Sequence, residues 1–344
     1  MRKRAIGLPL LTAALLTLTA CGGTDGQDGT EENMGNARPA VSDSAGDAPD
    51  GETFEAPAGL GEISQAVTDG EVVGLRGRDA VAFGTVAQLR DGKAEVVETD
   101  PACGTLTQGA GTFVLACGSE VLLFDPADPA EPERRDVEGD ATRAALVASG
   151  ELFTANADEP EIVMTRPDGS TERIEVEDPA TELVSVPGRD GERDAVVRTF
   201  NPDTTIQDVD WTNDPPRQGG RLRVGLGVGT VAPGEDDILL AADATGGQLA
   251  VYTTDDVIRL HQTVPVDGEP WAVAWDPHAK RAWVSSPGDR GLRAFDLSSG
   301  SSEQTTQLRA VPDAQSIVVL DDGTLVAVSA TGSGVQVVAD AAGA

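Results

Sequence analysis

Glu269-Pro-Trp-Ala-Val-Ala-Trp-Asp-Pro-His-Ala-Lys-Arg-Ala-Trp-Val-Ser-Ser286, followed after a short turn by Gly291-Leu-Arg-Ala-Phe-Asp-Leu-Ser-Ser-Gly300, is the stretch from which the fold is read. Trp271–Trp275 and Arg281–Ser285 are short runs rich in aromatic and β-branched residues, and Leu292–Phe295 and Gln304–Leu308 continue the series. Turn residues separate them: Asp276-Pro277, Pro287-Gly288-Asp289 and Ser298–Gly300. Runs of this length, bounded this way, are strands, and no stretch of the chain keeps a helical period over three turns. The stretch therefore predicts four successive antiparallel strands, a to d.

The pattern recurs outward in both directions. Val86–Leu89, Val121–Phe124, Ile162–Met164, Ile206–Trp211, Leu249–Tyr252, Leu292–Phe295 and Val335–Val338 are similar apolar runs at steps of roughly 35 to 45 residues. Asp-Gly turns punctuate the chain at Asp69-Gly70, Asp91-Gly92, Asp168-Gly169, Asp190-Gly191, Asp267-Gly268 and Asp322-Gly323. Seven such units predict an all-β, seven-bladed β-propeller over residues 59–344. The last unit has a at Ser316–Leu320, b at Leu325–Val328 and c at Val335–Val338, and then lacks d. With the first unit's a placed at Glu71–Leu75, Glu62–Val67 is a spare strand, expected to supply that d and close the ring.

The 269–300 unit resembles the YVTN-type repeat of bacterial surface propellers, with fair matches in Gln315–Asp340 and Thr142–Asp178. The resemblance implies a WD40-like fold and no particular activity. Trp275-Asp276 is not the WD40 dipeptide, because it follows strand a and no Gly-His pair precedes it.

At the N-terminus, Arg2-Lys3-Arg4 precede an apolar run to Leu18, and Leu18-Thr19-Ala20-Cys21 closes it. The run is shorter than the roughly 20 residues of a membrane-spanning helix. The motif resembles the lipobox of bacterial lipoproteins, and the whole chain resembles a lipoprotein of actinobacterial type. The resemblance implies a cleaved signal peptide at 1–20, lipid on Cys21 and anchoring at the extracytoplasmic face of the cell membrane. Residues 21–58 are Gly-, Asp-, Glu-, Ser- and Pro-rich with few large apolar side chains, so a disordered acidic linker is expected.

Charge narrows the partners. The chain carries 25 basic and 58 acidic residues, a net −33. Nucleic acid is excluded as a partner by phosphate repulsion. Of three cysteines, Cys21 is assigned to lipid, which leaves Cys103 and Cys117 flanking Gly109-Ala110-Gly111. A disulfide across a hairpin is expected, with a metal site disfavoured because no histidine lies near.

Catalytic signals are weak. His261 and His278 are the two histidines, one expected on an outer strand and one in a turn, and no Gly-x-Ser-x-Gly elbow is present. Asp203, Asp208, Asp210, Asn213 and Asp214 are oxygen donors of the kind Ca²⁺ uses, without EF-hand spacing. A solvated loop with Asx turns is the favoured explanation. Trp271, Val273 and Trp275 share one strand face, suited to inter-blade packing or to a stacking platform near the axis. The expectation is a monomeric binding or scaffold module for an envelope protein, peptide or glycan, with no cofactor. The alternative is a Ca²⁺-dependent, lactonase-like propeller hydrolase, and a quinoprotein dehydrogenase is a weaker third reading.

Overall fold

Residues 34–43, 47–300 and 302–344 are described by the computed structural model. The expected signal peptide, Cys21 and the first part of the linker lie outside them. The described chain forms seven antiparallel sheets, all of four strands except the second, which has three. They make the seven-bladed propeller read from the sequence.

The 269–300 unit folds strand by strand as expected. Its strands are Ala272–Asp276, Arg281–Ser286, Gly291–Asp296 and Glu303–Arg309, each paired with the next. The turn after the first strand is capped by Asp276, whose carboxylate accepts the His278 and Ala279 N–H groups at 3.0 and 2.8 Å. Its other oxygen accepts from Nε1 of the fully buried Trp283 at 3.3 Å. One side chain thus fixes the turn and satisfies the polar edge of the blade's largest core residue.

The frame of the first blade differs from expectation. Val86–Arg90 is an α-helix, not a strand. The cause is a capping box in which the Thr85 hydroxyl accepts the Gln88 N–H while the Gln88 side chain accepts the Thr85 N–H. Strand c is instead Ala80–Gly84, b is Val73–Arg76 and a is Gln65–Thr68, paired from Gln65↔Arg76 to Thr68↔Val73. Glu62–Val67 is therefore not the closing strand, nor is Glu71–Leu75 strand a. Ring closure by an N-terminal strand holds, but Glu52–Phe54 performs it, pairing Glu52↔Val337 and Phe54↔Val335.

The ordered part of the chain accordingly begins well before residue 59. Gly35 N–H donates to the Leu226 carbonyl at 3.0 Å, and the Ser42 hydroxyl donates to the Pro287 carbonyl at 2.6 Å. Ser42 also accepts from Asp313 N–H and donates its own N–H to the Asp313 carboxylate. Gln336, wholly buried, locks the seam: it accepts Val311 N–H and donates to the Asp50 and Arg309 carbonyls, each at 2.8 Å. Among the described residues, the segment expected as disordered linker is thus held on the connections of blades 5 to 7 by backbone and hydroxyl bonds that need no apolar side chains.

In the second blade, Thr112–Asp125 serves two positions. Its first part pairs with Leu106–Gly109 and its second with Asp128–Ala141. Cys103 and Cys117 are joined by a disulfide at this blade, next to the stack in which Phe83 meets Phe113 and Phe124 at 4.9 and 4.8 Å. The bridge closes a separation of 14 residues. Replacing both cysteines by serine should therefore lower stability by about 3 kcal/mol. The urea midpoint without reductant measures this, and an unchanged midpoint would contradict it.

Candidate functional site

The innermost strands meet around an axial channel, and neighbouring strands are stitched there by single polar side chains. Gln65 accepts Leu106 N–H at 3.0 Å, and Thr107 donates to the Ala144 carbonyl at 2.8 Å. Arg143 donates to the Thr181 carbonyl, and Val231 N–H donates to the Glu182 carboxyl. Thr230 accepts Val273 N–H at 3.3 Å and Ser316 accepts Ala66 N–H at 2.9 Å, while at the junction of blades 6 and 7 Ser285, on the second strand Arg281–Ser286, donates to the Ala314 carbonyl at 2.8 Å. The other stitches join residues near the beginning of neighbouring inner strands, so these strands run in one direction around the axis. They give each blade junction a fixed register and satisfy inner-strand edges that no ladder partner reaches.

The channel has a volume of about 200 Å³. Six of the seven inner strands line it, the exception being Arg143–Leu146 of the third blade. There the second and fourth blades close over the third. A Cβ on Gly109 would lie 2.1 Å from the Leu146 carbonyl and 2.7 Å from the Ser185 hydroxyl, so this approach requires glycine. The walls mix apolar side chains, Val67, Val231, Ala232 and Val318 among them, with polar ones: the stitch residues Gln65, Thr107, Thr230 and Ser316, and also Thr68, Thr105 and Gln108.

Glu182 is the one ionisable side chain among the residues lining the channel. Desolvation pushes its carboxyl from 4.5 up to about 7, against the opposing pulls of the Val231 N–H and Arg143. Arg143, on the adjoining inner strand, is itself held below its usual value by burial. Trp275 lies two residues beyond the Val273 stitch, hence ~7 Å farther along the strand, and its indole forms part of the wall.

The residues singled out in the sequence are placed as follows. Asp203 pairs with Arg221 at 2.7 Å, and Asp210 pairs with Arg217 at 3.1 Å and bonds Asn213. Asp208 is buried and accepts Ile258 N–H at 3.2 Å, and burial raises its carboxyl above the usual range. Asp214 precedes Pro215 in the turn between Thr205–Asp210 and Arg217–Arg223. Among the described residues no group of three or more His, Cys, Asp or Glu is arranged to hold a metal ion. One oxygen each of Asp203 and Asp208 is buried without a hydrogen-bond partner. His261 is exposed on the outer strand Arg259–Pro265 and His278 is exposed in its turn. Trp283 and Trp271 belong to the core between blades 6 and 7, and Trp275 packs on the core between blades 5 and 6 while also lining the channel.

Glu182 was not singled out in the sequence. The available signal was positional. Glu182–Val186 is an inner strand whose first residue corresponds to Gln65 of blade 1, so an acid there faces a junction.

The architecture defines a seven-bladed propeller with WD40-like structural neighbours. No protein-family model and no curated protein sequence matches the chain. Solved structures share the fold at low identity. Virginiamycin B lyase from Staphylococcus aureus is 12% identical with a TM-score of 0.60, over 83% of this chain and 98% of its own. The Myceliophteria thermophila Cps50 (Swd1) propeller domain is 12% identical with a TM-score of 0.61, over 83% and 97%. The WD40 propeller domain of Doa1 is 13% identical with a TM-score of 0.56, over 83% and 96%. These likenesses concern the fold alone, which hosts many unrelated activities.

Proposed function

We propose that the protein is a monomeric binding or scaffold module, anchored through lipid on Cys21 at the extracytoplasmic face of the membrane and engaging an envelope protein, peptide or glycan. The observation that carries the binding reading is the axial channel. Its mixed apolar and polar walls and single carboxyl suit holding a ligand, and Gln65, Thr230 and Ser316 are committed to blade junctions rather than paired with a nucleophile or base. The lipobox-like Leu18–Cys21 supports the anchoring. A Ca²⁺-dependent hydrolase is less well supported, because the acidic candidates are engaged by arginines and backbone N–H groups.

Two measurements test this. Cells fed an alkynyl palmitate should label the wild-type chain, and Cys21→Ala should lose the label and move to the medium. Retained labelling, or an unlabelled wild type, would refute the anchor. A photo-cross-linking residue at Thr105, at the channel mouth, should capture an envelope component in cells, and Asp255, on an outer blade edge, serves as the control position. Equal capture at both positions, or none at Thr105, would count against a ligand at the axis.

A further inference from the structure

Glu182 occupies an unusual position among the stitches. The junctions at Gln65, Thr107, Thr230, Ser285 and Ser316 are made by neutral side chains. An amide at 182 would accept the Val231 N–H equally well, without the cost of placing an ionisable carboxyl in a desolvated wall. The stitch alone therefore does not account for an acid there.

We propose that the channel binds a small organic ammonium ion, with Glu182 as its counter-charge and an apolar or aromatic body extending toward Trp275. This rests on the reading of the channel as a binding site and names its ligand class. Four observations converge. The carboxyl is the only charged lining group, and no lysine or arginine among the described residues lines the channel, so an anion would find no partner. The remaining lining mixes valine, alanine and leucine side chains with threonine, serine and glutamine, which suits a small body with both apolar and hydrogen-bonding parts. Trp275, half-buried against the core between blades 5 and 6, is a lining residue ~7 Å along its strand from the stitch level. The net charge of −33 gives the molecule a field that concentrates cations. At about 200 Å³ the space fits a ligand below drug size.

The charged surroundings of Glu182 are few. Arg143 faces it from the third blade's inner strand and is itself countered by Asp158. From the fifth blade's inner strand, Val228–Pro233, it meets the Val231 N–H and no titratable side chain. Arg143 is occupied by the Thr181 and Thr142 carbonyls, so it does not close an ion pair with the carboxyl. An ammonium would supply the partner that the fold leaves out, and binding would lower the Glu182 pKa.

The test uses the full chain and three probes of one shape: 2-phenylethylamine, 2-phenylethanol and 3-phenylpropionate. By calorimetry at pH 8 the amine should bind at least ten times more tightly than the alcohol, with no detectable carboxylate binding. Amine affinity should fall as pH drops below 7. Glu182→Gln, which retains an acceptor for Val231 N–H, should weaken the amine tenfold or more and abolish the pH dependence. In ¹³C spectra the Glu182 carboxyl titration should move to lower pH when amine is added. Absence of amine binding at millimolar concentration, equal binding of the alcohol, or unchanged amine binding by Glu182→Gln would each overturn the proposal. These readouts are independent of the cell cross-linking, so the ammonium site can fail while envelope binding stands, and the reverse.

Discussion

A chain beginning at Gly59 should melt at least ~10 °C below one beginning at Met34, although both contain every strand from Gln65 onward. The shorter chain lacks Glu52–Phe54, so Val335–Val338 becomes an open edge with unpaired backbone groups. Phe54 no longer covers the apolar cluster that holds Ala80, Val326 and Val337. Gln336 loses the Asp50 carbonyl, and Asp313 loses both bonds to Ser42. Net backbone hydrogen bonds contribute about 1 kcal/mol each, and a large apolar side chain contributes about 1.5–3 kcal/mol. The combined loss is on the order of 5 kcal/mol, and each kcal/mol moves the midpoint of a chain this size by about 2 °C. Calorimetry on the two chains reads the effect directly. Coincident melting would mean that the seam contributes nothing and that residues 59–344 close unaided. The shorter chain should also self-associate at high concentration, because its exposed edge can pair with a second copy.

The same seam shows where the sequence was legible. The blade built on Ala272–Asp276 was readable because each strand is a short apolar run between Asp, Pro and Gly turns, a signal carried by neighbouring residues. Six of the seven recurring runs are strands c or their equivalent. The seventh, Val86–Leu89, is apolar enough for a strand, but the hydrogen-bonding side chains Thr85 and Gln88 decide for a helix. That local choice shifted the strand count of the first blade by one and misassigned the closing strand. Residues 34–43 and 47–51 were unreadable for a different reason. Their order comes from backbone and hydroxyl bonds to loops more than 190 residues away, as in Gly35 with Leu226, and composition does not encode such partners. For the acidic candidates, sequence shows carboxylates but not the arginines that reach them, Arg221 for Asp203 and Arg217 for Asp210. The disulfide was readable because two cysteines flank one hairpin, although the register from Leu106↔Leu115 to Gly109↔Thr112 centres it between Ala110 and Gly111 rather than on Ala110.

Glu182 should make the wild-type protein less stable as pH rises from about 5 to 8, and Glu182→Gln should remove that contribution. The folded carboxyl titrates at about 7 against 4.5 for the free group. Between those values the native state keeps a proton that the unfolded chain has released, so folding takes up a proton. The contribution of Glu182 is therefore fully present below about 4.5, declines through the window and is lost once pH exceeds about 7. At about 1.4 kcal/mol per pH unit, the full excursion is about 3 kcal/mol, or ~6 °C in melting temperature. Asp208 and Asp237, also raised by burial, slope the same way and remain in both proteins, so the quantity to read is the difference between variant and wild type. That difference should be small at pH 5 and favour Glu182→Gln at pH 8, because the amide keeps the Val231 stitch without the charge. Parallel melting curves from pH 5 to 8 would show that the carboxyl ionises at no cost in the channel. Added 2-phenylethylamine provides the second arm. It should raise the melting temperature of the wild type most at pH 8, where an ammonium relieves the buried charge, and leave Glu182→Gln nearly unmoved. A ligand that stabilised both proteins equally would bind elsewhere on the ring.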